Sequence, residues 1–164
     1  MSVPYTKILL PLDGSEIAAQ ALPHAELIAS SQGAMLILFE VVEDPARFLV
    51  TPPLMDLGGV GGAGAIGLGP FPPNENAHRI AMDEAKSSLD ELVTSLKHRK
   101  VNAVADIDTG DPAACIVDYA AEHEIDLIVM STHGRTGVDR WTYGSVANKV
   151  LQAAPCPVLV VRPS

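Results

Sequence analysis

The residues best suited to chemistry stand directly after apolar runs. Asp13-Gly14-Ser15 follows Lys7–Leu12, and Val41-Val42-Glu43-Asp44 closes a second run. Ser131-Thr132-His133-Gly134-Arg135-Thr136-Gly137 follows a third, and Gly144-Ser145-Val146 opens an amphipathic segment beyond it. The last stretch is the most informative. A glycine-rich loop that runs into a helix N-terminus presents unpaired backbone N–H groups and the positive end of the helix dipole. Gly134 and Gly137 let the backbone approach an anion with no Cβ between, Gly144 does the same at the helix start, and the Ser145 hydroxyl adds a donor. This is a phosphate cradle made mostly of backbone, and it is also the makeup of an ordinary turn. No GxxxxGKS or GxxxxGKT is present, which excludes a P-loop nucleotidase, and no GxGxxG follows the first run, which argues against a dinucleotide site.

The remaining reactive side chains form no catalytic set. Asp13 suits either a turn and helix cap or a ligand contact. His133 has no second base, nucleophile or orienting partner in the sequence, so a loop-positioning role is expected of it. His24, His78, His98 and His123 are scattered without metal-ligand spacing and read as surface or satisfied helix residues. Arg135 and Arg140 suit a phosphate tail or plain solvation, and Trp141 and Tyr143 suit packing the loop down. Cys115 and Cys156 form no CxxC and lie in apolar stretches, so buried free thiols are expected.

Elements that position these residues follow from hydrophobic periodicity. Lys7–Leu12 and Ala34–Val42 read as strands, with a helix over Ile17–Ser31 between them, capped by Ser15, ended by Gly33 and interrupted or kinked at Pro23. Asn74–Arg99 is amphipathic, with Ala85, Leu89, Leu92 and Leu96 on one stripe. Val101–Asp108 alternates as a strand near an edge does. Asp111-Pro112 is a helix start, with Pro at the first helical position. Asp126–Ser131 and Cys156–Val161 are continuous Val/Ile/Leu runs of the kind buried on both faces of a parallel sheet, and a helix near Ser145–Ala153 lies between them. The alternation predicts one α/β domain over residues 1–164: an open parallel five-stranded sheet with helices on both faces. Residues 45–73 break the pattern, with seven glycines between Gly58 and Gly69 and six prolines, and read as a long loop insert. It leaves from the same carboxyl-end edge as Asp13, which suits a flap over a ligand or a loop with no role.

Charge and hydropathy narrow the class. Eleven Lys and Arg against twenty Asp and Glu give a net charge of −9, with no basic run, so sequence-independent nucleic-acid binding is not expected. No apolar run approaches the ~20 residues of a membrane span, and the N-terminus lacks the pattern of a signal peptide. A cytoplasmic protein is the expectation.

The chain resembles the universal stress protein family over nearly its full length, apart from the insert. The resemblance is carried by Lys7-Ile8-Leu9-Leu10-Pro11-Leu12-Asp13-Gly14-Ser15, by Thr109-Gly110-Asp111-Pro112, by the run from Asp126 to Arg135, and by Gly144-Ser145-Val146 followed by Pro155 to Val161. The ATP-binding branch of that family carries glycine, two residues, glycine, nine residues, then glycine and Ser or Thr. Here the positions read Ser131, Gly134, Gly144, Ser145, so the first glycine is replaced by a serine. The resemblance implies a Rossmann-like fold of the adenine nucleotide alpha hydrolase type, with strand order 3-2-1-4-5. It implies ATP as ligand, with Mg²⁺ travelling with the nucleotide. Ser131, His133, Gly134, Arg135, Gly144, Ser145 and Val146 would surround the phosphates. Asp13 would lie near the ribose, the phosphates or the Mg²⁺, Leu12 and Val41 would pack on the base, and Pro11 and Met130 would belong to the same binding site. In that strand order the apolar run Cys156–Val161 lies at a sheet edge, and because such an edge invites association a homodimer through the C-terminal strand is expected.

Three functions are consistent with these residues. One is an adenine-nucleotide-binding regulatory protein of the stress response with at most slow hydrolysis. Another is a nucleotide-free stress protein acting through protein contacts. The third is a weak ATPase, which the absence of a Walker lysine and of a water-positioning base disfavours.

Overall fold

The computed structural model describes residues 4–43, 75–132 and 144–162. The chain runs β1 (Lys7–Leu12), α1 (Glu16–Ala19), α2 (Leu22–Gln32), β2 (Met35–Val42), α3 (Glu75–His98), β3 (Ala103–Thr109), α4 (Pro112–Glu122), β4 (Leu127–Ser131), α5 (Ser145–Ala153) and β5 (Val158–Val161). The strands form one five-stranded sheet in the order β3-β2-β1-β4-β5, every neighbouring pair parallel. The fold class is the one the sequence pattern predicts, and the strand order is the one the family resemblance implies. The insert at 45–73 lies outside the described residues.

Alternation along each central strand sends successive side chains to opposite faces. Ile8, Leu10, Leu36 and Leu38 pack with Ala25 and Ala29 of α2 and with Leu89 and Leu96 of α3. Leu9, Ile37, Phe39, Ile128 and Met130 pack on the other face with Ile116 and Ala120 of α4 and Ala147 and Val150 of α5. Both faces of β1, β2 and β4 are therefore covered, which is why these strands read as unbroken apolar runs.

The expected helix over Ile17–Ser31 is two helices. Pro23 falls in the first turn of α2, where its missing N–H would have had no helical partner. Gly33 caps α2 at φ 68°, a left-handed conformation that a side chain would strain. Ser15 and Asp111 cap α1 and α4 as expected, accepting from the amides of Ala18 and Ala114.

Cys156–Val161 departs from expectation. The strand begins only at Val158, and it is not buried on both faces: Leu159 is 37% exposed. α2 packs on β1 and β2, and α3 on β2 and β3, while β5 lies at the opposite edge of the sheet. The two cysteines are free but half-buried rather than buried. Burial, and then nearby carboxylates (Asp108 first for Cys115, Asp126 for Cys156), raise both thiols above their ordinary range, so they are poor nucleophiles. Among the other histidines, His24, His98 and His123 are exposed. His78 is the exception, half-buried with a buried Nδ1 that has no partner among the described residues.

Candidate functional site

Open parallel sheets bind ligands outside the carboxyl ends of the strands, where strand order reverses. Here that point lies between β1 and β4. β1 pairs with β2 along its whole length, from Lys7↔Met35 to Leu12↔Glu40. With β4 it pairs only at Ile8↔Leu127 and Leu9↔Ile128. Beyond Leu9 no further pair joins the two strands, and a cleft of about 760 Å³ lies at the carboxyl end, within the size range of small-molecule sites, roughly 300–1,000 Å³.

On the β1 side the chain turns sharply through Gly14, at φ 72°. Asp13 Oδ1 accepts from the Ser15 amide at 3.0 Å and from the Ser15 hydroxyl at 2.6 Å. Ser15 Oγ in turn accepts from the Ala18 amide at 3.1 Å. Asp13 therefore fills the turn role, and the same bonds fix its carboxylate at the rim of the cleft. On the β4 side, Thr132 is 3% exposed, and its carbonyl accepts from the Gly144 amide at 2.6 Å. Gly144 is the N-cap of α5 and offers no side-chain cap, so the first amides of α5 keep donor capacity at the cleft.

Each described residue of the predicted site lines this cleft: Pro11, Leu12, Asp13, Val41, Met130, Ser131, Gly144, Ser145 and Val146. His133, Gly134 and Arg135 lie outside the described residues, as do Arg140, Trp141 and Tyr143. Sequence reasoning missed Phe39, Glu40, Glu84 and Ile116, which also line the cleft. Glu40 left a signal, as the one charged residue in the run MLILFEVV. Phe39 and Ile116 left none, since only the packing of α4 on the sheet brings them together.

Chemically the cleft divides into three regions. Phe39, Val41, Ile116, Met130 and Val146 give an apolar wall suited to a planar base. Ser131, Thr132, Gly144 and Ser145 supply hydroxyls and amides suited to an anion. Asp13, Glu40, Glu43 and Glu84 are acidic. Burial, and then the Asp13 charge, push the Glu40 carboxyl above its usual range, so charge in this region is mutually unfavourable. Behind the apolar wall the Phe39 and Tyr119 rings lie 4.4 Å apart, and the Tyr119 hydroxyl donates to Asp106 at 3.0 Å. Burial and that bond push the Tyr119 phenol up to about 12, which keeps it neutral.

Among the described residues, no group of three or more His, Cys, Asp or Glu side chains is placed to hold a metal ion. The carboxylates beside the anion-suited rim instead fit a Mg²⁺ carried by a ligand's phosphates, an ion that commonly takes only one or two protein carboxylates. Such an ion would offset phosphate charge that otherwise meets Asp13 and Glu40.

A family model described as the universal stress protein family matches residues 69–162. A universal stress protein of Methanocaldococcus jannaschii is 32% identical over 158 residues, covering 96% of this chain and 82% of its own. Among solved structures, the chain is similar to universal stress protein UspA of Lactobacillus plantarum. The TM-score is 0.72 at 27% identity, covering 98% of this chain and all of that one. Two structures share the fold at lower identity. A universal stress protein in complex with cAMP has a TM-score of 0.62 at 21% identity, covering 99% of this chain and 100% of that one. The universal stress protein of Archaeoglobus fulgidus in complex with dAMP has a TM-score of 0.62 at 19% identity, covering 96% and 98%.

Proposed function

The chain belongs to the universal stress protein family, and we propose that within it this protein is an adenine-nucleotide-binding regulator of the stress response. Its ligand is ATP with Mg²⁺, and hydrolysis is at most slow. The observation that carries this reading is the cleft at the β1–β4 switch point. An apolar wall, a hydroxyl- and amide-bearing rim and the Asp13 carboxylate meet there, in the arrangement a base, a phosphate chain and a ribose or metal require. The complexes of two proteins of the same fold with cAMP and dAMP support an adenine ligand.

In this reading Val41 and Met130 pack on the base with Pro11 and Leu12. Ser131, Gly144, Ser145 and Val146 hold the phosphates, together with His133, Gly134 and Arg135. Asp13 orients the ribose or the Mg²⁺. Mg²⁺ supplies charge neutralisation of the phosphates. The sequence carries no Walker lysine, which favours binding over efficient phosphoryl transfer. The whole chain acts as one domain, with the Gly/Pro-rich insert at 45–73 as a loop on it, and works in the cytoplasm. Among the described residues no helix is long and apolar enough to cross a membrane.

Protein purified without added ligand, denatured and chromatographed, is expected to release an adenine nucleotide. Protein that carries none and takes none up would instead act through protein contacts alone.

β5 is an edge strand with an apolar, partly exposed sequence, and such an edge invites pairing. We propose that two copies pair antiparallel there about a twofold axis, each covering the other's Leu159. Light scattering at micromolar concentrations is expected to report a dimer, and Leu159→Lys to shift it towards monomer. Wild-type protein that scatters only as monomer contradicts this.

A further inference from the structure

We propose that Pro11 is a positioning residue: by withholding an amide from the β1–β4 ladder, it holds the cleft open for its ligand. The inference rests on the nucleotide reading above for what the cleft receives, but not for how the cleft is made.

β1 is the central strand of the sheet, and proline is normally excluded from such a position because it cannot donate to the ladder. The direction of each amide in β1 follows from two bonds. The Thr6 carbonyl accepts from Met35 on the β2 side, and the Lys7 carbonyl accepts from Asp126 on the β4 side. Alternation then turns the backbone groups of Ile8, Leu10 and Leu12 towards β2, and those of Lys7, Leu9 and Pro11 towards β4. The β1–β4 pairs are Ile8↔Leu127 and Leu9↔Ile128. The next pair, Leu10 with Val129, would be closed by the amide of residue 11 donating to the Val129 carbonyl. Proline has no such hydrogen, and its ring occupies that place. The ladder ends at that point, while on the β2 side the same strand pairs on to Leu12↔Glu40.

β4 does not end there. It continues to pair with β5 as far as Ser131↔Val161. Met130 and Ser131 therefore stay paired with β5 and not with β1, and they line the cleft with Pro11. At the amino end the same two strands are tied. Asp126 Oδ2 accepts from the Thr6 amide at 2.8 Å, the Thr6 hydroxyl at 2.6 Å and the Lys7 amide at 2.9 Å. These bonds, the Thr6 side chain's first, hold its carboxyl below the usual range. β1 and β4 are thus fastened at one end and unpaired at the other, and Pro11 stands where the pairing stops.

The test restores the amide with Pro11→Ala, and with Pro11→Val as a second variant that favours the strand conformation. Hydrogen exchange by NMR on the ligand-free variants is expected to show the residue-11 amide exchanging at least about a hundredfold more slowly than an open amide. Calorimetry with Mg·ATP is expected to show about tenfold weaker binding, at a melting temperature equal to or above wild type. A merely structural proline would lower the melting temperature and leave the residue-11 amide in fast exchange. Fast exchange in both variants, or slow exchange with unchanged affinity, overturns the proposal. Should wild type bind no adenine nucleotide, the functional reading falls on its own. Residue-11 protection then decides whether Pro11 parts the strands: slow exchange upholds that and fast exchange removes it.

Discussion

Mg·ATP at about a hundred times its Kd is expected to add about 2.7 kcal/mol to the stability of the wild-type chain, a rise of about 5–10 °C in melting temperature for a domain of this length. Gly144→Val is expected to lose that gain. Gly144 caps α5, lines the cleft and ties back to the Thr132 carbonyl through its amide. A branched side chain there stands among the groups that would meet the phosphates. Valine is also a poor N-cap, but replacing a glycine cap costs only about 1 kcal/mol or less. The ligand effect is larger than the capping effect, so thermal scans of both proteins with and without Mg·ATP separate the two. A variant that melts somewhat lower but still gains the full increment from nucleotide would clear Gly144 of any role in binding.

Phe39→Ala is expected to cost about 3–5 kcal/mol, the usual range for truncating a buried aromatic ring. Phe39 is 1% exposed, packs with Ile37, Ile116 and Met130, and lies 4.4 Å from the Tyr119 ring. Its removal opens a void under the apolar wall of the cleft, and the total stability of a domain is only about 5–15 kcal/mol. Urea denaturation should therefore show a large fall in the midpoint with little change in slope. Phe39→Leu keeps most of the volume and should cost less than half as much. A loss under about 1.5 kcal/mol for the alanine variant would mean that the core closes over the void.

Sequence patterning reveals those parts of this fold whose causes are local. The unbroken apolar runs of β1, β2 and β4 mark strands covered on both faces. The alternation of Val101 to Asp108 marks β3 as an edge, and there Val104 and Asp106 are exposed while Ala103 is buried. Asp111-Pro112 and Ser15 mark helix starts because capping is a matter of one or two residues. Pro23 admits two local outcomes, a kink or a new helix start, and the packing of Ala25 and Ala29 on β1 and β2 accompanies the second. β5 shows the opposite limit. Its composition is that of a doubly covered strand, yet Leu159 is 37% exposed, and coverage depends on where distant helices fall.

The cleft divides in the same way. Asp13, Ser131, Gly144 and Ser145 were visible because each stands beside a strand end or a helix start. Phe39 and Ile116 look like any other core residues in the sequence, and only the meeting of β2 with α4 makes them a wall. The early end of the β1–β4 pairing needs two facts together: a proline near the end of an apolar run, and the central place of that run in the sheet. Neither is informative without the other.

Calorimetric titration of wild-type protein with Mg·ATP tests the central claim most directly. Saturable heat with one site per chain, absent in Gly144→Val, is the result expected of a nucleotide-binding cleft at the β1–β4 switch point. No heat from the folded wild-type protein, freed of any bound nucleotide and titrated to millimolar Mg·ATP, would contradict it.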